Sequence, residues 1–116
     1  MTTRTTQQLS KAVMEKLALV DANADPSAAD HAMIANRYTE LMDVLRDEDL
    51  CYWSNAAIPL LVFSGVSDLV ALHCMSAFGL GGSPVEIEAN EIPIKRRIRK
   101  HTKKPYSHED ITADDY

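Results

Sequence analysis

A chain of 116 residues, 46% hydrophobic and 25% charged, holds one domain's worth of sequence and enough apolar material for a single core. It has no internal repeat or low-complexity block, and its start, MTTRTTQQ, lacks the apolar stretch of a secretory signal. The net charge of −5 is unevenly spread: residues 1–94 carry 13 acidic and 5 basic side chains, Lys95–Lys104 carries seven Lys/Arg and no acid, and residues 105–116 carry four acids and no Lys/Arg. Such a division marks a tail with a partner rather than a determinant of the fold.

In chain order, Thr5-Thr6-Gln7-Gln8 has the form of a capping box, Thr5 covering a free N–H while Gln8 reaches back. Leu9, Val13, Leu17 and Val20 recur at helical spacing, so a first amphipathic helix is expected to about Leu19. Asp21–Ala24 is a polar break. Asp25 then offers a cap, with Pro26 at the first helical position and Asp30 in the first turn, where the macrodipole favours a carboxylate. Ile34, Tyr38, Leu41, Met42 and Leu45 make the apolar stripe of this second helix, and Arg37, Glu40, Asp43 and Arg46 take its wet face. Asp47-Glu48-Asp49 is unfavourable at a helix C-terminus, so the helix is expected to stop there. Leu50–Trp53 is a short apolar link, with Trp53 expected to plug the end of a bundle.

The organising stretch is Ala56–Leu80, with one formal charge, Asp68, among many Leu, Val, Phe and Met. Pro59 is placed in its first turn. A helix apolar on most sides is a membrane span or the centre of a bundle. Asp68, His73 and three serines in the segment favour the bundle. Gly79–Gly82 ends it. Ser83-Pro84-Val85-Glu86 is a second capping box opening a short helix over Val85–Glu91, although the alternation from Val85 to Glu88 equally suits a strand. Pro93 is expected to interrupt this element, with Ile94 and Ile98 seating a further turn that carries the basic run. From Pro105 on, PYSHEDITADDY has almost no core-building residues and is expected to be extended, ordering only on a partner.

Residue chemistry supplies no catalytic constellation. Cys51 and Cys74 are in no metal or redox spacing and read as free thiols of a reducing cytoplasm. His73 and Cys74 are adjacent, hence about 100° apart on a helix, and read as a hydrogen-bonded core histidine beside an inert thiol. Asp68 is expected to pair with an Arg of another helix, a subunit interface being the alternative. His31, His101 and His108 are placed on wet surfaces. Gly79–Gly82 lacks the lysine and the preceding strand of a phosphate loop. The run KRRIRKHTKK admits a solvated helix face, a salt-sensitive phosphate-binding strip or a dock on an acidic protein surface with Tyr106 and Tyr116 as anchors. Glu109, Asp110, Asp114 and Asp115 just downstream would repel DNA, which favours the protein dock.

Taken together, Leu9-x-x-Ala12-Val13-x-x-x-Leu17, the loop Asp25-Pro26-Ser27-Ala28-Ala29, Tyr38-x-x-Leu41-Met42, Tyr52-Trp53, Ala57-Ile58-Pro59 opening an apolar helix that closes at Ala77-Phe78-Gly79, and a basic segment followed by Pro105-Tyr106 and Asp115-Tyr116 form an ordered pattern. That order resembles the head-to-tail adaptor (connector) proteins of tailed bacteriophages and gene transfer agents, including the tail accessory, packaged-DNA stabilisation family. The resemblance implies an all-α fold: a small helical bundle around a central apolar helix (residues 1–92), then a basic segment and an extended C-terminal docking tail (residues 93–116). It implies a homo-oligomeric, dodecameric ring that docks on the portal protein, retains packaged DNA without sequence-specific binding, and receives the next tail component, whether nozzle, tail tube or stopper. The protein would be made in the host cytoplasm and reside in the virion at the head–tail junction, with no cofactor, catalytic residue or metal. The partner-binding set is then Lys95, Arg96, Arg97, Arg99, Lys100, Lys103, Lys104, Tyr106, Ile111 and Tyr116. The linker Asp47–Asn55 is shorter than the insertion some members carry. The alternative is a small helical nucleic-acid-binding protein using Lys95–Lys104.

Overall fold

The computed structural model describes residues 2–18, 25–80 and 83–101. Its elements run β1 (Thr3–Arg4), α1 (Thr6–Lys16), α2 (Ala28–Asp47), β2 (Ile58–Pro59), α3 (Leu60–Cys74), a 3-10 turn (Ser76–Phe78) and α4 (Pro84–Lys100). The architecture is mainly helical, with one two-stranded antiparallel pairing, Thr3 opposite Pro59 and Arg4 opposite Ile58.

Both capping boxes form. Thr5 Oγ1 accepts from the Gln8 amide at 3.1 Å while Gln8 Oε1 accepts from the Thr5 amide at 2.8 Å. Ser83 and Glu86 make the same exchange at 3.2 and 3.1 Å. The cap of α2 is Ser27 rather than Asp25. Its Oγ accepts from the Asp30 amide at 3.2 Å, the position an N-cap hydroxyl reaches naturally. Asp25 instead sits 3.7 Å from Lys11, and Pro26 is buried ahead of the helix. Asp30 lies in the first turn as expected, and α2 stops at Asp47, where the acidic run begins.

The central helix is shorter than the apolar stretch that encodes it. Ile58-Pro59 is drawn into the pairing with β1, and the Leu60 amide donates to Thr2 O at 3.1 Å, so Pro59 caps α3 instead of occupying its first turn. At the other end the chain tightens into the 3-10 turn, which Gly79 closes at φ 73°, a conformation a Cβ disfavours. The first helix likewise ends at Lys16 rather than Leu19, with Ala18 at φ 58°.

Around α3 the core closes on three sides. Val62, Val66, Leu69, Val70 and Cys74 of α3 share one cluster with Leu9, Val13 and Met14 of α1 and Ile34, Tyr38, Met42 and Leu45 of α2. α4 adds Ile98, the buried residue of that helix, with Ile94 partly buried beside it. Gly65 permits the approach: a Cβ there would stand 2.9 Å from Ile98 Cγ1. None of the described helices is long and apolar enough to cross a membrane.

Pro93 does not interrupt the last element. α4 runs unbroken from Pro84 to Lys100, because the capping box fixes its start, the Glu91–His73 contact holds it before the proline, and Ile94 and Ile98 pack after it. Pro93 and Ala89, whose carbonyl loses its helical donor, are both exposed, so water can replace the missing bond. Lys95–Lys100 is therefore the second half of a packed helix. The expected extended tail, from Pro105 on, lies outside the described residues.

Trp53 caps the bundle end, 6% exposed, with Tyr52 edge-on at 5.2 Å between ring centroids. Its Nε1 is buried without a hydrogen-bond partner among the described residues. Trp53→Phe is therefore expected to cost less than about 1.5 kcal/mol in urea unfolding and Trp53→Ala about 3–5 kcal/mol, because packing rather than the indole N–H carries the contribution. Gly65→Ala should push Ile98 away. Amide hydrogen exchange should then quicken over residues 94–100 while α1 and α2 stay protected.

Candidate functional site

The basic half of α4 divides into an inward and an outward set. Residues 91, 94, 95 and 98 share the helix face turned to the bundle, which carries Lys95 with the isoleucines. Lys95 Nζ lies 3.1 Å from Glu48 Oε1 and 3.7 Å from Glu91 Oε1. Glu91 Oε2 in turn contacts His73 Nε2, so a polar chain links α3, α4 and the end of α2. Lys95 also offsets the unfavourable carboxylate of Glu48 at the α2 C-terminus.

Arg97 reaches Asp68 on α3, Nη2 to Oδ2 at 2.5 Å, and Lys16 of α1 meets the other oxygen at 2.7 Å. Asp68 thus finds its arginine on another helix, together with a lysine from a third. Burial alone would raise its pKa; the hydrogen bonds and charges of Lys16 and Arg97 outweigh that and hold the carboxyl below the usual aspartate value. Arg96, Arg99 and Lys100 occupy exposed positions, as does His101. Lys103, Lys104, Tyr106, Ile111 and Tyr116, like His108, lie outside the described residues.

A second polar knot turns the chain between α2 and α3. Arg46 Nη2 donates to Trp53 O at 2.8 Å and to Asn55 Oδ1 at 2.6 Å. Tyr38 Oη donates to Asn55 O at 2.8 Å, and burial pushes its phenol up to about 12. Arg46 had the look of a wet-face residue, since helical spacing alone does not reveal a loop folding back over it. His31 is not on open surface either: it is half-buried, with Nδ1 2.6 Å from Ser10 Oγ.

The remaining reactive groups stay apart. Burial raises the pKa of both thiols; Cys74 is fully buried, and Cys51 points its sulfur at Trp53 O at 3.6 Å. No group of three His, Cys, Asp or Glu side chains among the described residues is placed to hold a metal ion. A cleft of about 510 Å³ between the end of α3 and the start of α4 is lined by Leu72, Met75, Leu80 and Ile87, with Glu86 and Asn90 at its polar side. What the site offers is therefore a charged helix face fixed to a rigid bundle. The chain matches no family model, no curated protein and no solved structure.

Because Asp68 has a depressed pKa in the folded state, its contribution is present above the unfolded aspartate value of about 4 and disappears as pH falls through the folded-state value. Asp68→Asn is expected to cost about 1–2 kcal/mol at neutral pH, the exposed guanidinium of Arg97 being partly screened by water. The variant should lose less stability than the parent between neutral pH and strong acid. Chemical unfolding followed by Trp53 fluorescence across pH checks this; parallel curves would separate Asp68 from acid sensitivity.

Proposed function

We propose that this chain is a head-to-tail adaptor subunit of the tailed-phage type. Copies assemble as a ring on the portal, help retain packaged DNA, and present a surface to the next tail component. The observation that carries the reading is the attachment of the basic run. Lys95 and Arg97 are paired within the body, to Glu48, Glu91 and Asp68, while the exposed Arg96 and Lys100 make no ion pair among the described residues and stand just ahead of Pro105–Tyr116. A docking segment launched from a helix clamped in this way starts from a fixed point on the body, which lowers the ordering cost on meeting the portal. The order of helices resembling the adaptor family supports the same conclusion.

Residues 95–104 are then part anchor and part dock. The charges spent internally reduce what is left for phosphate contacts, which weighs against the alternative of a nucleic-acid-binding protein. In the ring each weak dock is multiplied by the number of copies. Packaged DNA passes an acidic body that repels it and lets it slide.

Light scattering on the purified chain, alone and mixed with the portal of the same genome, tests this directly. A ring-sized stoichiometric complex is expected, and a chain lacking residues 105–116 should not form it. Indifference to the portal, combined with duplex DNA binding that falls steeply with salt and survives that deletion, would replace the adaptor with the nucleic-acid reading.

A further inference from the structure

Two helices each present an exposed stripe opposite their buried residues. On α2 it runs through Ala32, Asn36, Glu40, Asp43 and Asp47, and on α4 through Val85, Ala89, Ile92, Arg96 and Lys100. Steps of three and four residues keep each stripe on one face, and both extend over about 22 Å of helix. Each begins uncharged and ends charged, and the two charged ends have opposite sign. Val85 is 75% and Ile92 59% exposed, large apolar side chains left in water, with the two cations following Ile92. No ion pair among the described residues uses Asp47, Arg96 or Lys100, and Asp43 meets only Arg46, at 3.6 Å.

We infer that these faces are the two halves of one contact between copies of this chain, α2 of one copy lying parallel to α4 of the next. In that alignment Asp43 and Asp47 oppose Arg96 and Lys100, while the small Ala32 and Asn36 leave room for Val85 and Ala89. An antiparallel alignment would set the carboxylates on Val85 and the cations on Ala32. Nucleic acid fits the α4 stripe less well, because half of it is apolar and offers nothing to phosphate. The contact joins two different surfaces, so every copy keeps one open face on each side, and assembly proceeds until the rotation between neighbours closes it. The inference deepens the ring proposed above, giving Arg96 and Lys100 to the neighbouring copy and the portal dock to the residues that follow them, and rests on that reading for closure, though not for the pairing of faces.

Sedimentation velocity on the full chain over a range of concentrations at low salt tests it. The parent should gain mass with concentration and lose it at high salt. The double variants D43K/D47K and R96E/K100E should each weaken association on the order of a hundredfold while keeping the parent's helical content and melting curve. Mixed in equal amounts, the two variants should recover association, since each supplies the charge the other has reversed. Where reversal disturbs folding, the neutral variant R96Q/K100Q should still weaken association about tenfold. Parent-like association of either reversed variant overturns the inference, and so does a mixture that stays monomeric. Open-ended growth without a limiting mass would support the pairing of faces and refute the ring.

Discussion

Asp68 holds one cation from α1 and another from α4, and the position of the fourth helix depends on it. α4 buries only Ile98 completely, so apolar contact alone fastens it weakly. An exposed ion pair contributes little, but this carboxylate is half-buried, doubly paired and placed on the helix around which the core is built. The His73–Glu91–Lys95–Glu48 chain secures α4 by a second line of contacts. Between the two, Gly65 lets Ile98 approach the backbone of α3. Polar clasps on either side of one apolar contact fix the direction in which the basic run leaves the body.

The parts of the fold legible in the sequence are those with local causes. Both capping boxes, the stop at Asp47, the amphipathic stripes of α1 and α2 and the burial of the central helix follow from spacing and from the needs of free N–H and C=O groups. The misreadings have non-local causes. Pro59 suits a first helical turn until Thr3-Arg4, more than fifty residues earlier, recruits it into a strand. Pro93 breaks a helix that has only itself for support, but not one held by a polar contact before it and by packing after it. Asp25 and Ser27 are both competent caps; Ser27 takes the position while Asp25 turns to Lys11 of α1.

The charged run was legible as a block and not as individuals. Its composition announces a partner, yet Lys95 and Arg97 find theirs within the chain. The phase of Ile94 and Ile98 points Lys95 inward, and that signal was available in the sequence. Arg97 is different: it meets Asp68 through the crossing of α3 and α4, which periodicity does not specify. Arg46 shows the same limit, since its two acceptors lie on a loop that returns over a helix face otherwise suited to solvent.

The fold shields its two cysteines unequally. Attack on oxidants, disulfides and electrophiles proceeds through the thiolate, and burial disfavours that form at both Cys51 and Cys74. Cys74 is fully buried, so the fold also keeps reagents away from it, whereas Cys51 is only half-buried and is the thiol a reagent would reach first.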